Sequence, residues 1–193
     1  MPFVSHPRGT VVAGITSVAL LGSGLTLATA VASSPKPPKT VKATRITRQS
    51  GTLAPGSHVA SSKVVGQRTF TTASRGFALA SVGSADYAVA TTDGGKTWKT
   101  DGPALHLDAL QAPLAVTFLG AVNRKKVFAW GGGQVIDATN DGGKTWYRAL
   151  FTSGSPVAVV HDFAGHLLAF VQGFSGSSTV KYVSKDGGRT WRR

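Results

Sequence analysis

Beyond residue 56 the chain alternates short apolar or β-branched runs with clusters of Gly, Ser, Thr, Asn and Asp. That is the pattern of short strands joined by tight turns. In a first unit it predicts strands over Val64–Thr71, Phe77–Val82, Tyr87–Thr92 and Trp98–Thr100. In a second it predicts Leu114–Leu119, an apolar run suited to an innermost strand buried on both faces, then Val127–Trp130, Val135–Thr139 and Trp146–Phe151. Gly131–Gly133 reads as a strand connection whose exposed backbone could also line a channel. A third unit repeats the pattern with Val157–His161, Leu167–Val171, Val180–Ser184 and Trp191 onward. No long stretch of 3.6-residue period follows residue 33, so the expected class is all-β.

One short motif punctuates the units. It reads Thr91-Thr92-Asp93-Gly94-Gly95-Lys96-Thr97-Trp98, then Thr139-Asn140-Asp141-Gly142-Gly143-Lys144-Thr145-Trp146, then Ser184-Lys185-Asp186-Gly187-Gly188-Arg189-Thr190-Trp191. The aspartates lie 48 (141 − 93) and 45 (186 − 141) residues apart, a period that marks a repeat architecture and includes propeller blades. Asp-Gly between β-prone segments is a hairpin signal, because the turn needs a positive φ that glycine takes without steric cost. The carboxylate is expected to accept from backbone N–H groups one or two residues on, and the threonine hydroxyl to close the turn. The tryptophan then begins the returning strand and offers a large apolar surface for packing.

The pattern Ser/Thr-x-Asp-x-Gly-x-Thr-Trp resembles the Asp-box, or BNR repeat, of sialidases, xyloglucanase-type glycoside hydrolases, sortilin-type receptors and photosystem II stability/assembly factors. The Gly-Gly-Lys-Thr-Trp spelling is most similar to the assembly-factor and related bacterial groups. The resemblance covers roughly residues 57–193 and implies a β-propeller, with the box on the hairpin joining the third and fourth strands of each blade, away from the active face. It implies structural roles for Asp93, Gly95, Thr97, Trp98, Asp141, Gly143, Thr145, Trp146, Asp186, Gly188, Thr190 and Trp191. It carries over no catalytic residue, cofactor or metal ligand. Three four-stranded blades are expected, over about 57–102, 103–150 and 151–193. Known propellers close with about four to eight blades. Three make a partial propeller, completed by self-association or by another polypeptide, or else a truncated gene product.

Two ligand-binding readings of the same turns fail. Gly-Lys-Thr at 95–97 and 143–145 would end a phosphate-binding loop only if a glycine stood where Ala90 and Ala138 stand. Asp137-x-Thr139-x-Asp141-Gly142 imitates the opening of a calcium loop, but the closing bidentate glutamate would fall at Arg148.

The N-terminus carries Arg8, then an uncharged stretch from Gly9 to Pro35 with small residues at Ala30-Val31-Ala32. This is the layout of a signal peptide over 1–32, the alternative being an uncleaved anchor over Val11–Ala32. Lys36, Lys39, Lys42, Arg45 and Arg48 follow, a charge run that opposes translocation. With Pro35, Pro37 and Pro38 they give residues 33–56 the composition of an extended basic linker, able also to act as an electrostatic tether. The expected location is secreted or at the cell envelope.

The formal charge is +13, and every acidic residue is an aspartate. Such a surface attracts anionic envelope polymers, acidic lipids or nucleic acid, although no nucleic-acid motif accompanies the charge. Without cysteine, disulfide and thiolate chemistry are excluded. Without glutamate, the tyrosine–glutamate pair that the resemblance would give a sialidase cannot be built. Glycosidases commonly need paired carboxyl groups. Outside the boxes there remain Asp86, Asp101, Asp108, Asp137 and Asp162. Arg45-Ile46-Thr47 only faintly matches a sialidase arginine motif. His161 and Asp162 are adjacent, so on a strand they face opposite ways. His106 and Asp108 fall in a segment, Pro103–Ala112, expected as an inter-blade loop. His58, His106, His161 and His166 show no metal-ligand spacing. The expected function is a non-catalytic exported propeller module that binds or scaffolds through its inter-blade loops, its partner an anionic polymer, a protein complex or a second copy. The alternative is a glycoside hydrolase fragment lacking its catalytic residues.

Overall fold

The computed structural model describes residues 39–105, 118–176 and 178–193. These fall within one compact unit, Pro37–Arg193. Its strands are β1 (Thr40–Lys42), β2 (Thr44–Arg45), β3 (His58–Val59), β4 (Val64–Phe70), β5 (Gly76–Val82), β6 (Ala85–Thr91), β7 (Trp98–Leu105) and β8 (Phe118–Ala121). They continue with β9 (Val127–Trp130), β10 (Val135–Thr139), β11 (Tyr147–Leu150), β12 (Gly154–His161), β13 (Leu167–Gly173), β14 (Thr179–Ser184) and β15 (Thr190–Arg192). A single 3-10 turn spans Ser61–Lys63. Among the described residues no helix is long and apolar enough to cross a membrane.

The protein is all-β, with three antiparallel sheets of five strands each rather than the four expected. In each sheet four strands follow one another in sequence, as the alternating pattern requires: β4 to β7, β8 to β11 and β12 to β15. The fifth strand comes from the N-terminal segment. β1 pairs with β15, β2 with β11 and β3 with β7. The chain therefore crosses the outer edge of the third sheet, then the second, then the first, before entering the first meander.

Thr40–Lys42 and Thr44–Arg45, read from their Pro/Lys-rich surroundings as part of a linker, are thus strands in the structure. The reason is physical. The last strand of each meander would otherwise present a row of unpaired backbone groups. Besides the ladder bonds, Ala43 N–H donates to the Arg189 carbonyl and Ile46 N–H to the Trp146 carbonyl, both at 2.8 Å. The N-terminal segment also reaches inward. Val41 and Ala43 pack on a core of Ile136, Ala149, Phe151, Tyr182 and Trp191 between the second and third sheets. Ile46 packs on Phe77, Leu79, Leu119, Ala129 and Trp146 between the first and second.

The outward face of the first sheet, with Ala78, Tyr87, Val89 and Trp98, is covered by the same segment through Leu53 and Val59. There Leu53 N–H donates to the Tyr87 hydroxyl (3.0 Å), and the Thr100 hydroxyl donates to the Ala54 carbonyl (2.7 Å). Among the described residues the third sheet has no such cover. Leu168 lies opposite both Val160 and Val183 on its outward face, and Val160 is exposed.

Most strand boundaries fall within a few residues of the sequence pattern. β7 is the main departure, running to Leu105 where the sequence pattern ends a strand at Thr100 and begins a loop at Pro103. Most of the apolar run expected at Leu114–Leu119, together with His106 and Asp108, lies outside the described residues.

Ile46→Pro removes the N–H that bonds Trp146 and the side chain that fills the first inter-sheet core. It is expected to destabilise the protein by about 3 kcal/mol or more in a urea titration. A loss under about 1 kcal/mol would show that the strap contributes little.

Candidate functional site

The repeated motif forms three near-identical turns, joining β6 to β7, β10 to β11 and β14 to β15. Both glycines of each turn have positive φ, from 71° to 94°. The polar network differs from the expected one in an instructive way. The glycine two residues after each aspartate donates its N–H not to the carboxylate but to the hydroxyl two residues before it: Gly95 to Thr91, Gly143 to Thr139 and Gly188 to Ser184, at 2.9, 3.1 and 2.8 Å. That hydroxyl in turn donates to the aspartate Oδ1, at 2.7, 2.9 and 2.9 Å. The same Oδ1 accepts the N–H four residues on, from Thr97, Thr145 and Thr190, each at 2.9 Å. In the first and third turns the Thr97 and Thr190 hydroxyls close the ring on Oδ2, at 2.6 and 2.5 Å.

These donors set the charge state. The Thr97 hydroxyl and N–H, with the Thr91 hydroxyl, hold Asp93 well below the usual carboxylate range. Burial works against the ionised form at Asp141 and Asp186, yet hydrogen bonds from Thr145 and Thr139, and from Thr190 and Ser184, carry both below their ordinary value. All three carboxylates are held as anions by hydrogen bonds within their own turns.

The tryptophans that follow are fully buried, one in each core: Trp98, Trp146 and Trp191. Trp98 and Trp191 donate their indole N–H to Gly95 and Gly188 of their own turns, both at 3.0 Å. Trp146 instead reaches across to the first sheet and donates to the Asp101 carbonyl at 2.6 Å. That close approach explains Gly102, whose φ is +127° and where any Cβ would collide with Trp146 Nε1. Over Trp98, which has no earlier sheet to pack on, the Arg68 guanidinium lies 5.7 Å from the ring centroid.

A family model for the BNR/Asp-box repeat matches residues 89–100 and 182–193. The chain carries BNR/Asp-box repeats. The matched segments are the first and third turns, and the middle Asp-box shares their hydroxyl–carboxylate–amide network. No curated protein and no solved structure matches the chain.

The carboxylates outside the Asp-boxes are dispersed. Asp137 is buried and forms a two-pronged ion pair with Arg148, its cross-strand partner, at 2.9 and 2.8 Å. The arginine that ruled out a calcium loop is thus the ion-pair partner of that loop's first aspartate. Asp162 bonds the ring and the backbone N–H of His166, both at 2.8 Å, and closes the β12–β13 hairpin. His161, the neighbour singled out from the sequence, meets only the Asp162 backbone carbonyl. The His166 N–H leads the interactions that hold Asp162 low. Among the described residues no group of three or more His, Cys, Asp or Glu could hold a metal ion.

Asp101, which sequence reading left unassigned, is the most perturbed in the other direction. Burial pushes its carboxyl up to about 6, with Arg75 opposing the rise and Asp141 adding to it. Its Oδ2 is buried without a hydrogen-bond partner among the described residues. Its Oδ1 sits where a side chain on Gly143 would stand. Only the three-dimensional stacking of the middle Asp-box on β7 produces this site, and no local signal announces it.

Trp146→Ala is expected to cost about 3–5 kcal/mol, because it empties a core and orphans the Asp101 carbonyl. A near-neutral result in a denaturant melt would place the ring outside the core. The pH dependence has a definite sign. Folded Asp101 keeps its proton up to about pH 6, whereas an ordinary aspartate loses it near 3.8. Its contribution is therefore fully present below pH 3.8 and lost as pH rises through 6, a change of about 3 kcal/mol. Asp101→Asn should flatten stability between pH 4 and 7, and superimposable pH profiles for the two proteins would contradict the assignment.

Proposed function

We propose that the three sheets are blades of an exported Asp-box propeller module whose work is binding or scaffolding at the cell envelope, without catalysis. The observation that supports this most directly is how the carboxylates are spent. Asp93, Asp141 and Asp186 accept hydrogen bonds from their own turns, and Asp137 pairs with Arg148. Hydrolysis of a glycosidic bond commonly takes one protonated and one ionised carboxyl group flanking the substrate.

Asp101 and Asp141 present that split in protonation, which is what a glycoside hydrolase fragment would offer. Access argues against the reading. A general acid must reach the leaving oxygen, and Asp101 Oδ2 is buried against the middle Asp-box.

The expected partner is anionic, given the +13 charge, or a protein that adds further blades. Head-to-tail closure by a second copy would need the outward face of the first sheet, which Leu53 and Val59 already cover. Added blades would accordingly stack on the third sheet, beside Leu168 and Val183.

The test is to incubate the protein with sialosides and β-glucans and, separately, with isolated envelope material. No sugar release, together with envelope retention that falls steeply with salt, is the expected outcome. Release of sugar, or no retention at low salt, would overturn the proposal.

A further inference from the structure

In an antiparallel meander the first and third turns lie at one end of the sheet and the second at the other. In all three sheets the Asp-box is the third turn, so the Asp-boxes share an end with the turns 71–75, 122–126 and 162–166. Hydrogen bonds stitch these turns into one surface. Gly94 N–H donates to the Ser74 carbonyl and Gly142 N–H to the Lys125 carbonyl, at 2.8 and 3.1 Å. Asn140 reaches the Asp186 carbonyl and the Lys126 ammonium reaches the Gly165 carbonyl, at 3.1 and 3.2 Å.

The described turns at the two ends differ in charge. At the Asp-box end the first turns bring Arg75, Arg124, Lys125 and Lys126, and the boxes bring Lys96, Lys144, Lys185 and Arg189. Against these eight cations stand five aspartates, Asp93, Asp141, Asp162, Asp186 and Asp101 beside the middle box, leaving +3 (8 − 5). At the other end the turns 83–84, 131–134, 151–153 and 174–178 contain no charged residue, and the cations Lys39, Arg192 and Arg193 lie on or beside β1 and β15.

From the cationic end projects Phe163, at the tip of the β12–β13 hairpin, with a side chain as open to water as in an isolated peptide (114% exposed). It stands two residues from Gly165, the carbonyl that Lys126 holds.

We propose that the Asp-box end is a docking surface for an anionic lipid membrane, with Phe163 inserting between headgroups and the surrounding lysines and arginines facing lipid phosphates. This rests on the binding-module reading and names its partner. A basic surface alone would take any polyanion. An exposed aromatic ring at the tip of a basic hairpin gains only where an apolar layer lies beneath the charge. The inter-blade loops, expected from the sequence to form the contact surface, carry neither feature in their described parts.

The test uses residues 33–193, which contain the whole compact unit from Pro37, and co-sedimentation with vesicles of phosphatidylglycerol in phosphatidylcholine. Partition is expected with the mixed vesicles and not with phosphatidylcholine alone. Phe163→Ala should weaken it about tenfold or more. Arg124→Ser/Lys125→Ser should weaken it by about fivefold per charge at low salt. All of these side chains are exposed, so the melting temperature should hold.

Two controls carry equal changes elsewhere: Phe174→Ala in the uncharged turn 174–178, and Lys39→Ser/Arg193→Ser beside β1 and β15. Both should bind within about twofold of the parent protein. Absent partition, or equal losses in the controls, overturns the proposal. If Phe163→Ala binds like the parent protein, the surface takes polyanions by charge alone and the lipid assignment is overturned. Envelope retention without vesicle binding would sink this inference and leave the binding-module reading standing, whereas loss of both would sink the two together.

Discussion

Three meanders placed side by side leave three outer strands with a row of backbone N–H and C=O groups and nothing to pair them. An unpaired edge invites aggregation or costs hydrogen bonds, and proteins cover such edges or shorten them. Here one segment of about twenty residues, 39–59, does the covering for all three sheets. Its strands are only two or three residues long, too short to stand alone, and they persist because alternate side chains enter the clefts between sheets. Edge pairing and core filling are therefore one device. The same device gives the described residues their asymmetry: the segment ends by covering the outward face of the first sheet and not that of the third.

The Asp-boxes serve this arrangement from the other side. Each presents a tryptophan to a core, and its turn is held by a hydroxyl and a carboxylate that divide the backbone donors between them. The division holds the aspartates in their ionised form. It also leaves the Lys of the first two boxes, Lys96 and Lys144, exposed on the turn, while the Arg189 guanidinium of the third lies over the Tyr147 ring. Repetition of a structural turn thus builds up charge at one end of the molecule, while the glycine- and serine-rich turns at the other end stay neutral.

The alternation of apolar and polar residues made the four-strand meanders legible, because a half-buried antiparallel strand writes its two faces directly into the chain. Val127–Trp130 and Val135–Thr139 came out residue for residue. β1 and β2 were hidden, since two or three residues among prolines and lysines carry no period and their pairing partners lie about 100 to 150 residues away. The role of Thr91, Thr139 and Ser184 as acceptors was hidden for a different reason. Turn chemistry predicts an acceptor near the glycines but does not say whether the carboxylate or the hydroxyl fills it. Asp101 was beyond reach altogether: its burial depends on Gly143 and Trp146 arriving from another sheet. Asp162 drew attention beside the wrong histidine, because the hairpin brings in His166 at i+4.

The most direct test of this account is native-state hydrogen exchange at the amides of Ala43 and Ile46, read against amides in β11 and β15. If the N-terminal segment closes the edges of the sheets, those two protons should exchange only with the global opening that frees β11 and β15, and with the same dependence on denaturant. Exchange of Ala43 and Ile46 at the rate of an unstructured peptide, while β11 and β15 stay protected, would contradict it.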